Sequence, residues 1–278
     1  MLKQRIITAL VLLALLLPAL FWPLLWPFAL LMLLMIGSAG WEWGRLNGLA
    51  GGPAVLLGLA IAAAGLLAYA SGWALQVPPL LWWFATALWV LGGTWVLARG
   101  VARWPRLPVA LRLLLGVVLL GLVWLALTQA KARGVNFLLS VFVLVWAADI
   151  AAYFGGRAFG RRKLAPAISP GKSWEGVWSG MLGVLLLAAA WIAFDRSTGQ
   201  AVPSLFSELH GRLGLVAGVL ALLFLTALSV VGDLFESLVK RSAGAKDSSA
   251  LLPGHGGVFD RIDALLPVFP LALALCAL

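Results

Sequence analysis

The sequence predicts an all-α membrane protein, a polytopic bundle of eight or nine transmembrane helices. Three observations support this class. The 278 residues are 63% hydrophobic, only 11% are charged, and the mean hydropathy is +1.05. A soluble domain carries about 25% charged residues, so this chain has too few to cover a water-exposed surface of its size. Apolar stretches of about 20 residues, the length that crosses a bilayer, recur along the whole chain.

The predicted spans follow one another with short polar connections. The first has Lys3 and Arg5 before an apolar run, which is also the form of a signal peptide. No small-residue cleavage site follows, so we interpret it as a retained helix. The nine predicted spans cover residues 6–22, 24–43, 53–75, 79–98, 113–130, 135–154, 177–194, 213–231 and 264–278.

The placement of positive charge predicts the orientation in the membrane. The net charge is +10, which on its own would also suit a nucleic-acid-binding protein. With nine spans and the amino terminus inside, however, sixteen of the twenty Lys and Arg residues fall on the cytoplasmic side. The four on the other side are Lys131, Arg133, Arg196 and Arg212. This bias follows the positive-inside rule. We therefore expect the basic residues to contact membrane lipid and expect no nucleic acid as a partner.

The chain divides near residue 135 into two regions of different composition. Residues 1–134 contain one carboxylate, Glu42, and we interpret them as a hydrophobic multi-span region for anchoring and packing. Residues 135–278 contain the other nine carboxylates and are predicted to be the catalytic membrane region. Ionisable groups in or beside a spanning helix are costly and are usually functional. The single cysteine, Cys276, excludes a cysteine-based metal cluster.

A loop rich in glycine and cations follows the sixth predicted span. Loop glycines let the backbone approach a phosphate, and Lys and Arg neutralise it. An ordinary basic loop would explain the cations but not the glycine and serine. The segment 169–173 resembles the end of a P-loop, but Pro166 stands where that motif needs glycine, which excludes it. The candidates for substrate binding in this loop are Arg157, Lys163, Ser169, Lys172 and Ser173.

A second polar segment follows the eighth predicted span. Asp233 and Glu236 are three residues apart on one helix face, although Glu236 also forms an ordinary four-apart pair with Lys240. Asp260 and Asp263 repeat the three-residue spacing at the start of the last predicted span. Several carboxylates converging at a membrane surface make an oxygen-rich site for Mg²⁺. They do not suit zinc, because no cluster of His or Cys is present.

The loop between these carboxylates contains a glycine-rich run, residues 253–257. A lone histidine is more often structural than catalytic. His255, however, lies between glycines in a charged loop, so we interpret it as a phosphate contact, whereas His210 has no such setting and is left unassigned. The candidates for substrate binding in this segment are Arg241, Lys246, His255, Gly256 and Arg261.

These two segments resemble the CDP-diacylglycerol synthases, also called phosphatidate cytidylyltransferases. The residues 237–241, Lys246-Asp247, 253–257 and 260–263 look like the carboxy-terminal signature of that family. The run from Asp149 through 169–176 is similar to a second family block. The resemblance covers the carboxy-terminal half, and the first half matches only as a hydrophobic multi-span region.

The resemblance implies a homodimeric, multi-pass enzyme of the inner (plasma) membrane with a polar funnel that faces the cytoplasm. Its substrates would be CTP and phosphatidic acid, and its products CDP-diacylglycerol and pyrophosphate. It also implies Mg²⁺, with K⁺ as the candidate second metal. The implied metal ligands are Asp233, Asp260, Asp263 and Asp247. The implied catalytic residues are Asp233, Asp260, Lys240 and Asp247.

We expect a phosphate oxygen of phosphatidic acid to attack the α-phosphorus of CTP in line. This nucleophile is already anionic, so catalysis reduces to positioning and neutralisation of charge. Three other classes fit less well, and one of them, a purely structural scaffold, would leave the carboxylate cluster unexplained. A transporter should show paired broken helices or inverted repeats, and the sequence has no internal repeat. A CDP-alcohol phosphotransferase needs several Asp in a DG-AR-type pattern, which this sequence does not contain.

Overall fold

The computed structural model describes residues 2–278, without the side chains of residues 2, 3 and 5, so the charges of Lys3 and Arg5 lie outside the description. The fold is almost entirely helical, as predicted. The helices are α1 (Leu2–Phe21), α2 (Trp26–Leu46), α3 (Gly52–Ala70), α4 (Pro79–Ala87), α5 (Thr94–Arg99), α6 (Val109–Arg133), α7 (Val135–Phe159), α8 (Trp174–Thr198), α9 (Leu205–Ser242), α10 (Phe259–Ile262) and α11 (Leu265–Leu275). A π-helical turn, Leu88–Gly93, joins α4 to α5, and short 3₁₀ turns cover Trp73–Leu75 and Val101–Arg106.

Six helices within residues 2–278 are long and apolar enough to cross a membrane: Gly52–Ala70, Pro79–Arg99, Val109–Arg133, Val135–Phe159, Trp174–Thr198 and Leu205–Ser242. The predicted count of eight or nine is not confirmed. The last predicted span shows one reason. Its helix, α11, has 11 residues and rises about 16 Å, roughly half the hydrocarbon thickness of a bilayer. All of its residues are buried among other helices, so its apolar composition serves packing.

Helices α6 to α9 run antiparallel in succession, so their connections alternate between two ends of the bundle. Gly134 alone joins α6 to α7, and residues 199–204 join α8 to α9 at the same end. The other end, which we call the basic end, carries residues 100–108, 160–173 and 243–258. Cations such as Arg157, Lys172 and Lys240 therefore lie near one end, while Arg133 and Arg212 lie at the opposite end.

Helix α9 carries the second polar segment to the basic end. It is broken at Gly214, whose φ of 73° is a conformation that glycine adopts without the steric penalty of a side chain. From Gly214 to Asp233 the helix rises about 28 Å, close to the hydrocarbon thickness of a bilayer. The last two turns, which end at Ser242, therefore continue past Asp233 at the basic end.

Glu42 of α2 connects the first region to the second. Its side chain is fully buried, and its carboxylate accepts hydrogen bonds from the backbone amides of Val258 (3.0 Å) and Phe259 (2.6 Å). The hydroxyls of Ser248 (3.2 Å) and Ser249 (2.5 Å) also donate to it. A buried carboxylate is costly unless donors satisfy its oxygens. The one carboxylate of the first region thus organises the loop between α9 and α10.

The neighbouring Trp43 packs against both elements of the second polar segment. Its ring lies 6.0 Å from that of Phe235 on α9 and 5.5 Å from that of Phe259 on α10, measured between centroids. Phe235 and Phe259 directly precede Glu236 and Asp260 in the chain. Helix α2 therefore fixes the backbone beside two of the acidic residues at the basic end.

Replacing Glu42 by Gln should loosen the loop between α9 and α10. An amide offers one acceptor where the carboxylate has two, and an unsatisfied buried donor costs about 1–3 kcal/mol. We expect amide hydrogen exchange at Val258 and Phe259 to accelerate roughly ten- to hundredfold. Glu208→Gln is the control, because Glu208 pairs with Arg133 and Arg212 at the opposite end. Unchanged protection in Glu42→Gln would contradict the role assigned to this carboxylate.

Candidate active site

A cavity of about 510 Å³ opens between α7, α8 and α9 at the basic end. Its rim is polar and its floor is apolar. The floor extends from Asp233 down α9 to Thr226, a depth of about 10 Å. The polar lining residues are Asp149, Tyr153, Arg157, Ser169, Lys172, Ser173, Thr226 and Asp233, and the others include Ala148, Leu164, Val177, Gly180 and Val230. Its shape and lining suit a ligand with a charged head and an apolar tail.

Two short strands hold one side of the polar rim of the cavity in place. Strand β1 (Lys163–Ala165) pairs antiparallel with β2 (Ser169–Ser173). The hydroxyl of Ser173 caps α8 by accepting a hydrogen bond from the Gly176 amide at 3.2 Å. Strand β2 thereby carries Lys172 to the cavity, where its ammonium forms an ion pair with Asp233. Lys163, opposite Ser173 on β1, is exposed and does not line the cavity.

Three carboxylates form one group beside this ion pair. Oxygen atoms of Asp233, Glu236 and Asp263 all lie within 4.8 Å of one another. Burial and, after it, the charge of Asp233 raise the pKa of Asp263 above its ordinary value. Crowded carboxylates of this kind are stabilised by a bound cation, and hard oxygen ligands are those that Mg²⁺ prefers. The donor set therefore fits a magnesium ion.

Lys240 links the three-carboxylate group to Asp260. Its ammonium lies 2.5 Å from Glu236 and 2.9 Å from Asp260. Asp260 also accepts hydrogen bonds from the amides of Ser248 (3.1 Å) and Gly257 (2.7 Å). Burial raises the pKa of Asp260, but hydrogen bonds outweigh it and hold the pKa below its ordinary value. Asp260 thus lies next to the three-carboxylate group, and its contacts in this structure are with protein donors.

The remaining predicted residues lie on the loop between α9 and α10 or directly beside it, and they form two sets. His255 and Gly256 share one turn, in which Gly256 has a φ of 80°, and the guanidinium of Arg261 on α10 donates to the His255 carbonyl. The Nδ1 atom of His255 is buried and has no hydrogen-bond partner in the described part of the chain. The second set consists of Arg241 in the last turn of α9 and of Lys246 and Asp247 on the loop, and all three are exposed.

Two functional candidates were missed in the sequence. Glu236 has the spacing from Asp233 that predicts a shared helix face, but its position four residues before Lys240 offered an ordinary explanation. Glu42 had one available signal, because it is the only carboxylate in an apolar region, and intramembrane ionisable groups are usually functional. Its partners are more than 200 residues away, so no local pattern could identify them.

Comparison with known proteins supports the family resemblance, and the family match extends over nearly the whole chain. The cytidylyltransferase family matches residues 3–278. A phosphatidate cytidylyltransferase of Pseudomonas aeruginosa is 42% identical over 284 residues, which cover 99% of this chain and 97% of that protein. For the phosphatidate cytidylyltransferase of Haemophilus influenzae, identity is 50% over 143 residues, 51% of this chain and 46% of the relative.

A more distant relative also shares about half of its length with this chain. The phosphatidate cytidylyltransferase of Staphylococcus epidermidis is 35% identical over 158 residues, which are 57% of this chain and 55% of that protein. Together with the match over residues 3–278 and the apolar helices, these similarities identify a membrane-embedded nucleotidyltransferase. The chain belongs to the cytidylyltransferase family, and to its phosphatidate cytidylyltransferase branch.

Proposed function

We propose that this enzyme transfers the cytidylyl group of CTP to phosphatidic acid, forming CDP-diacylglycerol and pyrophosphate. The name of the relative from Pseudomonas aeruginosa, which matches nearly end to end, supports this reaction. The observation that carries the proposal is the cavity between α7, α8 and α9. Its rim carries cations as well as carboxylates, its floor is apolar, and the ion pair between Lys172 and Asp233 connects it to the three-carboxylate group.

The two substrates would approach the three-carboxylate group from different sides. The phosphate of phosphatidic acid fits the rim beside Arg157, Lys172 and Ser173, with its glycerol and acyl chains along the apolar floor. The triphosphate of CTP fits the other side, near Lys240 and the turn of His255, whose buried Nδ1 lacks a protein partner among the described residues. In this arrangement both phosphates would lie near Asp233.

A magnesium ion would be held by Asp233, Glu236 and Asp263. When bound, it would neutralise negative charge on the phosphates of CTP and on the leaving pyrophosphate. Asp260 on α10 and Asp247 on the neighbouring loop, which the resemblance also implies as ligands, lie outside the three-carboxylate group. A potassium ion as second metal stays a prediction from the resemblance. Glu236 replaces Asp247 as the better-supported third ligand, because it lies within the three-carboxylate group and Asp247 is exposed.

The chemical step forms one bond and breaks one. An anionic oxygen of the lipid phosphate attacks the α-phosphorus of CTP, and the bond from that phosphorus to the β-phosphate oxygen breaks. No proton transfer is needed, since the nucleophile is already ionised. Lys172 and Arg157 would hold the attacking phosphate, and Lys240 would orient Glu236 and Asp260. The protein contributes positioning and charge, which are the main components of phosphoryl-transfer catalysis.

The basic end would face the cytoplasm, in line with the positive-inside rule. CTP would then reach the site from solution while the lipid stays in its leaflet. The bacterial relatives favour the inner membrane as the location. A homodimer, implied by the family resemblance, is part of the same proposal.

The reaction is tested with purified protein in detergent–lipid micelles, phosphatidic acid, Mg²⁺ and CTP labelled in its cytosine. We expect label to enter the lipid phase, pyrophosphate to appear, and both to cease when EDTA removes the metal. The relative from Pseudomonas aeruginosa serves as the positive control. Absence of transfer by well-folded protein, alongside transfer by the control, would show that the reaction is wrongly assigned.

Removing a carboxylate from the three-carboxylate group should weaken the use of magnesium. In Asp263→Asn and Glu236→Gln we expect the Mg²⁺ concentration for half-maximal turnover to rise roughly tenfold or more, because each loses an anionic oxygen ligand. The measurement is a Mg²⁺ titration at saturating substrates, with Glu208→Gln as the matched control. A Mg²⁺ requirement equal to that of the unmodified enzyme in both variants would exclude this group as the metal site.

Asp260→Asn should nearly abolish turnover while folding and membrane insertion stay intact. The amide weakens the contacts to Lys240 and to the two loop amides that Asp260 accepts from. Turnover and the Mg²⁺ requirement are measured together, because a change in both indicates a metal ligand and a lower kcat alone indicates a positioning residue. Turnover like that of the unmodified enzyme would remove Asp260 from the active site.

A further inference from the structure

A second groove at the basic end lies outside the catalytic cavity. It has a volume of about 780 Å³ and lies between the end of α7 and the start of α8. Its lining residues are Ala158, Phe159, Gly160, Arg161, Arg162, Trp174, Glu175 and Trp178. On α8, Trp174 and Trp178 occupy the face opposite to Gly176 and Gly180, which line the catalytic cavity, since each residue turns the helix by about 100°. The groove therefore faces away from the catalytic cavity.

Hydrogen bonds hold the backbone of the groove in place, whereas its two guanidinium groups form no ion pair with a carboxylate of the described residues. The carboxylate of Glu175 accepts hydrogen bonds from the backbone amides of Arg161 (3.0 Å) and Arg162 (3.1 Å). The Trp174 amide also donates to the Arg162 carbonyl at 2.9 Å. Within the described residues, neither arginine side chain forms an ion pair with a carboxylate. Two guanidinium groups and one carboxylate leave the groove positively charged.

Aromatic side chains place this groove at the membrane interface. Trp174 and Trp178 are stacked, with centroids 6.2 Å apart, and are 44% and 60% exposed. Phe159 is 68% exposed on the other wall. Both walls belong to helices long and apolar enough to cross a membrane. Exposed tryptophan near the end of such a helix is typical of the headgroup level of a bilayer, and arginine forks match phosphate geometry.

We propose that this groove binds the headgroup phosphate of an anionic phospholipid of the surrounding bilayer. Arg161 and Arg162 contact the phosphate, and the rings of Trp174, Trp178 and Phe159 pack on the glycerol and upper acyl chain. The site is separate from the one for the reacting lipid, because the two cavities lie on opposite faces of α8. An anionic lipid held there would fix the α7–α8 hairpin that presents Lys172 to the catalytic cavity.

The test is native mass spectrometry of the full-length protein in detergent, titrated with phosphatidylglycerol, phosphatidylcholine or inorganic phosphate. We expect phosphatidylglycerol to bind more tightly than either of the others. In Arg161→Gln/Arg162→Gln its affinity should fall roughly tenfold, as for the loss of a charge-assisted contact. Arg161→Lys/Arg162→Lys, which keeps the charge without the fork, should lose less. The matched control is Arg103→Gln/Arg106→Gln, two exposed arginines at the same end, and its affinity should not change.

Two outcomes would overturn the proposal. The first is equal phosphatidylglycerol affinity in the unmodified protein and in Arg161→Gln/Arg162→Gln. The second is equal affinity for phosphatidylcholine and phosphatidylglycerol, which would show that the negative charge of the lipid is not recognised. If the first outcome comes with a loss of dimer in the same double variant, the groove is assigned to a second copy of the chain. Turnover is measured in parallel, and its presence in the double variant separates this site from the catalytic one.

Discussion

The buried carboxylate of Glu42 and the four donors that converge on it form the polar contact between α2 and the segment that joins α9 to α10. Without them, the loop between α9 and α10 would have no polar contact with α2, and the amides at the start of α10 would lack a partner. Asp260 directly follows these amides, and Asp263 lies one helical turn later. The three-carboxylate group therefore depends on Glu42, which lies outside the signature segments. A catalytic region that is continuous in sequence therefore still needs the first region for its geometry.

Ion pairs at the basic end neutralise only part of the negative charge at the centre of the site. Lys172 offsets Asp233 from the cavity side, and Lys240 offsets Glu236 and Asp260 from the loop side. Two ammonium groups thus face four carboxylates. In a setting with little water, the remaining negative charge favours a divalent cation or protonation of one carboxylate. The proposed magnesium ion would offset this negative charge.

Helical class and both polar segments could be predicted because they depend on local features. Apolar runs of about 20 residues identify helices, and three-residue spacing places Asp233 and Glu236 on one face. The number of spans could not be obtained in this way, since the run that forms α11 is equally apolar whether it contacts lipid or protein. The place of Asp263 beside α9 depends on the path of the intervening loop. Its neighbour there is Gly232, where a side chain would meet the Asp263 carbonyl.

The break at Gly214 has a mechanical consequence for an enzyme that works in membranes of varying composition. A continuous helix of 38 residues would transmit every change of tilt from one membrane face to the other. Bilayers that thicken or thin change the tilt of spanning helices at a modest energetic cost. Here the helix axis can bend at a residue about 28 Å from Asp233. The helix can then adjust to bilayer thickness at the far face, and the distances between the carboxylates stay the same.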